Sequence, residues 1–253
     1  MVTRRDLALA LRGSDAAADL ALRHFEVGVS TTTKADGTPV TEADRAVEHL
    51  LRQILRAEAP EDALFGEELG RDGASDRVWI LDPIDGTSFF SRRDPNWRVH
   101  VALEVAGRTE VAVVTAPALG RQWWATRGGG TFESSWPRGR CTKRLTVSHT
   151  DNLARALLDA HDEESRRRLP SEATIAPPSP LALVELVRGQ IDGFLVECCH
   201  LWDHAPWILL IEEAGGRFTD RSGGRRGDRG GGLYSNANLH ALLAKAIGYP
   251  VQP

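Results

Sequence analysis

The stretch that most constrains this chain is Trp79-Ile80-Leu81-Asp82-Pro83-Ile84-Asp85-Gly86-Thr87, an apolar run that stops at two carboxylates, a glycine and a hydroxyl. Val78 to Leu81 read as a buried strand, which puts Asp82 at its end, where the chain leaves a sheet and a side chain can serve a cleft. Pro83 fixes the backbone behind Asp82, and Gly86 permits a tight turn before Thr87. Two carboxylates three apart on such a bend can converge, and a divalent cation on their oxygens relieves their repulsion. An ordinary acidic turn has the same composition, so this stretch alone leaves both readings open.

Two further stretches favour the metal. Gly66-Glu67-Glu68 offers carboxylates beside a glycine, after an amphipathic segment. Leu201-Trp202-Asp203-His204-Ala205-Pro206 opens a long apolar helix, Trp207 to Ala214, that ends at Gly215-Gly216. Asp203 suits the N-cap or first turn, where its charge favours the helix terminus, and Pro206 suits the first turn because donors there have no intrahelical partner.

A length of 253 residues can bury a large core in one domain or in two closely joined layers. No charge-free run reaches membrane-spanning length, and the first residues lack the apolar segment of a signal peptide, so a cytoplasmic enzyme is expected. The net charge of -4, with 31 basic and 35 acidic residues interspersed, argues against a nucleic-acid polymer as partner. Three cysteines, two of them adjacent at Cys198 and Cys199, make neither a disulfide framework nor a spaced zinc motif, and buried thiols are expected.

Along the chain, Leu7, Leu11, Ala18, Leu22 and Phe25 predict a helix over 6–25, and Ala46 to Leu55 a second over 42–56. Thr41 and Asp44 resemble a helix start, which gives Asp44 a capping role as the simplest reading. Short β-rich runs at 99–105, 110–115 and 122–125 predict an antiparallel meander. Gly128-Gly129-Gly130 lacks the lysine and hydroxyl of a phosphate loop and reads as a hairpin turn. A strand is expected at 143–148, a helix at 181–187, a strand at 191–196 and a closing helix at 239–247. The 162–168 segment reads as too polar for the interior, and 223–232 as flexible. The alternation predicts layered sheets and helices.

Glu67-Glu68, Asp82-Pro83-Ile84-Asp85-Gly86-Thr87, and Trp202-Asp203 followed by Glu213-Ala214-Gly215-Gly216 resemble, in order and spacing, the motifs of the inositol monophosphatase superfamily of magnesium-dependent, lithium-sensitive phosphatases. The resemblance implies an α/β (α+β) fold, a layered α-β-α-β-α sandwich. It implies a single catalytic unit over 1–253, with a metal-rich half over 1–148 and a substrate-binding and dimerising half over 149–253.

It also implies roles. Glu67, Asp82 and the carbonyl of Ile84 would hold a first Mg2+, and Asp82, Asp85 and Asp203 a second. A third Mg2+ is compatible with the pattern, Mn2+ is an expected substitute and Li+ an expected inhibitor. Oxygen-only ligands suit magnesium better than zinc. Thr87 would bind the attacking water, with Glu67 as proton acceptor and Asp44 beside the metals. Backbone donors of Gly86 and Thr87 would cradle the phosphate. Lys34, Ser88, Phe89, Ser179 and His204 are expected near the substrate or behind the metal ligands, Lys34 balancing the carboxylates, and His204 reads as a helix-start or pocket-lining histidine rather than as a ligand or general acid. Trp97 and Trp124 are candidates to shape that region, and Trp123, Trp124 and Trp136 to contribute to a homodimer interface, with filling of the core as the plain alternative for each.

Lys34 to Glu48 and Thr115 to Ala125 look most like the bacterial histidinol-phosphate phosphatase branch, which implies hydrolysis of L-histidinol phosphate. Ser88-Phe89-Phe90 and Pro177-Pro178-Ser179-Pro180 depart from the pattern, so a sugar, cyclitol or nucleoside phosphate, including adenosine bisphosphate, stays open as substrate. Complete carboxylate motifs argue against a non-catalytic scaffold.

Overall fold

The computed structural model of the protein describes residues 4–28, 31–33, 39–137, 139 and 142–250. The chain divides into two compact units, Met1–Thr126 with Phe132–Lys143, and Arg127–Thr131 with Arg144–Pro253. The mixed α/β class expected from the sequence is observed.

The first unit opens with helix α1 (Arg4–Val27), a short hairpin of β1 (Thr31–Thr33) and β2 (Pro39–Thr41), and helix α2 (Glu42–Glu58). Then come β3 (Ala63–Gly66), β4 (Gly70–Asp72), β5 (Arg77–Asp85), a one-turn helix α3 (Thr87–Ser91), β6 (Arg98–Val105), β7 (Arg108–Ala116), β8 (Arg121–Thr126), β9 (Gly130–Ser135) and β10 (Thr142–Leu145). The sheet order is β10-β9-β8-β7-β6-β5-β3-β4, and β6 to β8 form the expected antiparallel meander. Leu51 and Leu55 of α2 pack with Trp79, Leu81, Val101 and Val113 of the sheet in one apolar cluster. The buried face of α1 is Leu9, Ala10, Ser14, Ala17, Ala18 and Ala21, whereas the expected Leu7, Leu22 and Phe25 are only partly buried at its margin. Small side chains let the helix approach the sheet closely, and Ser14 Oγ reaches Thr115 Oγ1 on β7 at 2.7 Å. Trp97 is fully buried against Phe25 and Phe90, and Trp123 and Trp136 are also interior, with Trp124 half-buried against the same core. Trp97, Trp123 and Trp136 thus take the core-filling alternative.

The second unit carries β11 (Leu157–Ala160), α4 (Glu163–Arg168), β12 (Thr174–Ile175), α5 (Ala182–Val187), β13 (Gly193–Val196), α6 (Leu201–Glu213), β14 (Gly216–Asp220), β15 (Gly232–Asn236) and α7 (His240–Ala246). Its sheet runs β12-β11-β13-β15-β14, with β11 parallel to β12 and β13 and the remaining pairs antiparallel. The polar 162–168 segment, expected only as non-interior, forms α4. The Asp162 side chain accepts the Ser165 N–H at 2.8 Å as its N-cap, and the Arg166 guanidinium pairs with buried Asp159. The stretch after β14, expected to be flexible, begins as a closed turn. Asp220 accepts the N–H groups of Ser222, Gly224 and Arg226 at 2.8, 3.0 and 3.0 Å. Cys198 is exposed and Cys199 half-buried, and both are free thiols. Among the described residues no helix is long and apolar enough to cross a membrane.

Candidate active site

Strand β5 does not end at Asp82, as the sequence predicts, but runs on to Asp85. On a regular strand, residues three apart point to opposite faces. Here Asp82 pairs with His100 and Asp85 with Arg98, so three steps along β5 match two along β6. The additional residue is a β-bulge, and it returns Asp85 to the face that Asp82 occupies. A carboxylate oxygen of each lies within 4.8 Å of the other. The Ile84 N–H donates to Asp82 Oδ1 at 3.1 Å and holds the bulge closed. Asp82 is 1% exposed, so its charge requires compensation from within the protein or from a bound cation.

Glu67 follows β3, which runs parallel to β5 with Gly66 beside Leu81, and its N–H donates to Leu81 O at 3.2 Å. Parallel pairing therefore delivers Glu67 to the same sheet end as Asp82. The loop is held by Glu48, buried on α2 and unrecognised in the sequence. Its carboxylate accepts the N–H groups of Glu68 and Leu69 at 2.7 and 3.2 Å and Arg52 Nε at 2.8 Å.

Gly86 has φ 84° and turns the chain from β5 into α3. A Cβ there would stand 3.2 Å from Asn96 O and from the Phe89 ring, so both conformation and space select glycine. Its carbonyl accepts the N–H groups of Phe89 and Phe90. Thr87 is thereby the first residue of α3, and its hydroxyl has two acceptors, Ile84 O at 3.2 Å and Asp44 Oδ1 at 3.4 Å. Asp44 is fully buried in the first turn of α2. It sits at the helix start where the sequence puts it, and its carboxylate reaches the Thr87 hydroxyl. Ser88 is exposed and Phe89 half-buried under the Arg92 guanidinium. Lys34 lies outside the described residues.

Arg98 and His100 also escaped the sequence reading. Arg98 Nε donates to Asp85 Oδ2 at 2.7 Å, its Nη2 lies 2.6 Å from the same oxygen, and His100 Nε2 lies 3.5 Å from it. A charge opposite a charge across two strands is the only signal, and it requires the bulged register to be known.

In the second unit, α6 starts at Leu201, so Asp203 is in its first turn, as expected, and its Oδ2 accepts the His200 N–H at 2.6 Å. Pro206 is the sixth residue of the helix, beyond the first turn predicted for it. His204 is 2% exposed and packs on Phe218 and Tyr234, with Nδ1 2.5 Å from the Tyr234 hydroxyl. It therefore stands at the start of the helix, as the favoured reading has it. Burial lowers its pKa to about 4, with His200 and His161 adding repulsion, so the ring is neutral at pH 7. Ser179 is engaged locally: its hydroxyl donates to Glu185 Oε1 at 2.7 Å and accepts the Leu181 N–H at 3.1 Å.

A family model described as the inositol monophosphatase family matches residues 4–249. The chain belongs to the inositol monophosphatase family. A Streptomyces griseus protein named glucose-1-phosphate thymidylyltransferase is 38% identical over 226 residues, 85% of each chain. A Mycobacterium tuberculosis histidinol-phosphatase is 37% identical over 248 residues, 93% of this chain and 95% of that one. The crystal structure of extragenic suppressor protein suhB from Bartonella henselae superposes with a TM-score of 0.83 at 25% identity, covering 96% and 98% of the two chains. The fold is therefore the sandwich of the inositol monophosphatase family, and the chain takes its place among metal-dependent phosphate-monoester hydrolases.

The residues suit a hard divalent cation. Asp82 and Asp85 offer only oxygen and converge on one face, a donor set that suits a hard divalent cation better than zinc. The Ile84 carbonyl keeps a second lone pair beside the Thr87 hydroxyl.

Proposed function

We propose that the protein hydrolyses a small phosphate monoester in the presence of Mg2+, with L-histidinol phosphate as substrate. The observation that carries this reading is the bulge that turns Asp82 and Asp85 to one face, 4.8 Å or less apart, in a chain of this family. Glu67, Asp82, the Ile84 carbonyl, Asp85 and Asp203 are assigned as the cation ligands. Divalent cations held there neutralise phosphoryl charge and acidify water.

The chain's own groups do the rest. The Thr87 hydroxyl, turned toward Asp44 and Ile84 O, presents its lone pairs and accepts a hydrogen bond from the attacking water. Asp44 fixes that rotor. Glu67 takes the proton, since a threonine hydroxyl is too weak a base to keep it. The N–H groups of Gly86 and Thr87 receive the phosphoryl oxygens as their charge grows. Ser88, Phe89 and Ser179 are assigned to the leaving-group side, and Lys34 to balancing the carboxylate charge. His204, buried and neutral, supports the helix that carries Asp203.

Histidinol phosphate is favoured by the similarity to histidinol-phosphatases from three organisms, at 34 to 37% identity. The test is kcat/KM under saturating magnesium for histidinol phosphate, inositol and sugar phosphates, nucleoside monophosphates and adenosine bisphosphate. Preference for histidinol phosphate is expected. Efficient turnover of another member beside weak turnover of histidinol phosphate overturns the substrate, and no turnover of any overturns the reaction. A cytoplasmic homodimer belongs to the same proposal, and a monomer mass by light scattering removes the dimer.

A further inference from the structure

The cation ligands assigned to the first unit include Asp85, which already has a resident cation. Arg98 stands opposite it on β6, with Nε and Nη2 2.7 and 2.6 Å from the single oxygen Oδ2. The side chains of Arg98 and Asp85 are 12% and 21% exposed, so solvent screens the pair only partly. A guanidinium keeps its charge at every accessible pH, and two of its donors converge on that one carboxylate oxygen. His100, 1% exposed and 3.5 Å from the same oxygen, closes the space behind it.

We propose that Arg98 is a positioning residue that sets the cation affinity and selectivity of the site by occupying Oδ2 of Asp85. Two consequences follow from the geometry. With Oδ2 held, Asp85 offers one oxygen to a divalent ion. Mg2+ accepts single-oxygen carboxylates in its tight octahedron, whereas Ca2+ gains from carboxylates that bind through both oxygens, so the arrangement disfavours Ca2+. The fixed positive charge also repels any ion bound at Asp85, which keeps affinity moderate, while it neutralises a carboxylate pair that would otherwise repel in the cation-free protein.

This inference rests on the proposed function in one respect, that Asp85 is a ligand. Isothermal titration of Mg2+ and of Ca2+ into full-length wild-type protein, Arg98→Met and Arg98→Lys tests it. Arg98→Met is expected to bind Mg2+ about fivefold tighter, and Ca2+ tighter by a larger factor, because a unit charge near the ion is gone. Arg98→Lys restores the charge and is expected to bring Mg2+ affinity back to within about twofold of wild type. A merely structural arginine predicts the opposite, weaker binding of both ions in Arg98→Met and no rescue by lysine, and that result overturns the proposal, as does an unchanged affinity. An unchanged ratio of Ca2+ to Mg2+ affinity overturns the selectivity. If Arg98→Met does not fold, Arg98→Gln carries the same expectation. Wild-type protein that binds neither ion overturns the proposed function together with this inference, whereas wild-type binding with an indifferent variant overturns this inference alone.

Discussion

The carboxylate of Glu48 fills the space where a side chain at position 66 would begin, 2.2 Å from the Cβ that Gly66 lacks. The buried acid and the glycine fit each other, and between them they set where the chain carries Glu67. Gly66→Ala must push Glu48 off the N–H groups of Glu68 and Leu69. A loss of about 1–3 kcal/mol in unfolding free energy is expected, the usual cost of an overfilled interior, and weaker magnesium binding should accompany it. Denaturant unfolding and calorimetry check both, and an unchanged midpoint would show that the loop yields freely.

Thr87 tests the reading of the water site separately from metal binding. Thr87→Val keeps the shape and removes the hydroxyl that points to Asp44 and Ile84 O. A fall in kcat of about 100-fold with KM nearly unchanged is expected, and Thr87→Ser should recover most of it. Equal losses in both variants would deny the hydroxyl its role.

His240 makes stability depend on pH. The ring is 5% exposed, with Nε2 2.6 Å from Thr219 Oγ1 and Nδ1 2.7 Å from Ser235 Oγ. Burial, then the nearby Arg217 and Arg225, lowers its pKa to about 4 from an ordinary 6.5. A folded pKa below the unfolded one means that the unfolded chain takes up the proton first. The contribution to stability is therefore complete above pH 6.5 and disappears as pH falls toward 4, to the extent of on the order of 3 kcal/mol. Melting temperatures between pH 7 and 4 should fall, and more gently in His240→Phe. Parallel curves would contradict the assignment.

Local signals made much of this fold legible. The helices of residues 4–27 and 42–58, the meander of β6 to β8 and the turn at Gly86 each follow from periodicity or from one special backbone angle. The acidic motifs were legible as well, being contiguous in sequence. What escaped was set by register and burial. Asp82 and Asp85 share a face because β6 counts two residues where β5 counts three, which no pattern within β5 records. Glu48 reads as one more charge on an amphipathic helix and Arg98 falls just before the β-rich run at 99–105, and only their distant partners reveal them. The tryptophans stayed open between core and interface for the same reason, since composition does not say which side of a sheet is covered. Helix α4 was missed because its stability comes from the Asp162 cap and the Asp159–Arg166 pair rather than from an apolar stripe.

Asp82 is central to the proposed function because it would serve catalysis through a divalent cation. Asp82→Asn removes the charge and keeps the shape, and the folded variant should bind magnesium at least about 100-fold more weakly. The direct measurement is release of inorganic phosphate from histidinol phosphate and inositol monophosphate by wild type and Asp82→Asn, each with magnesium and with chelator. Turnover by wild type only when magnesium is present, with none by the folded variant, is the predicted result. Magnesium-independent release by wild type, or equal turnover by Asp82→Asn, would contradict it.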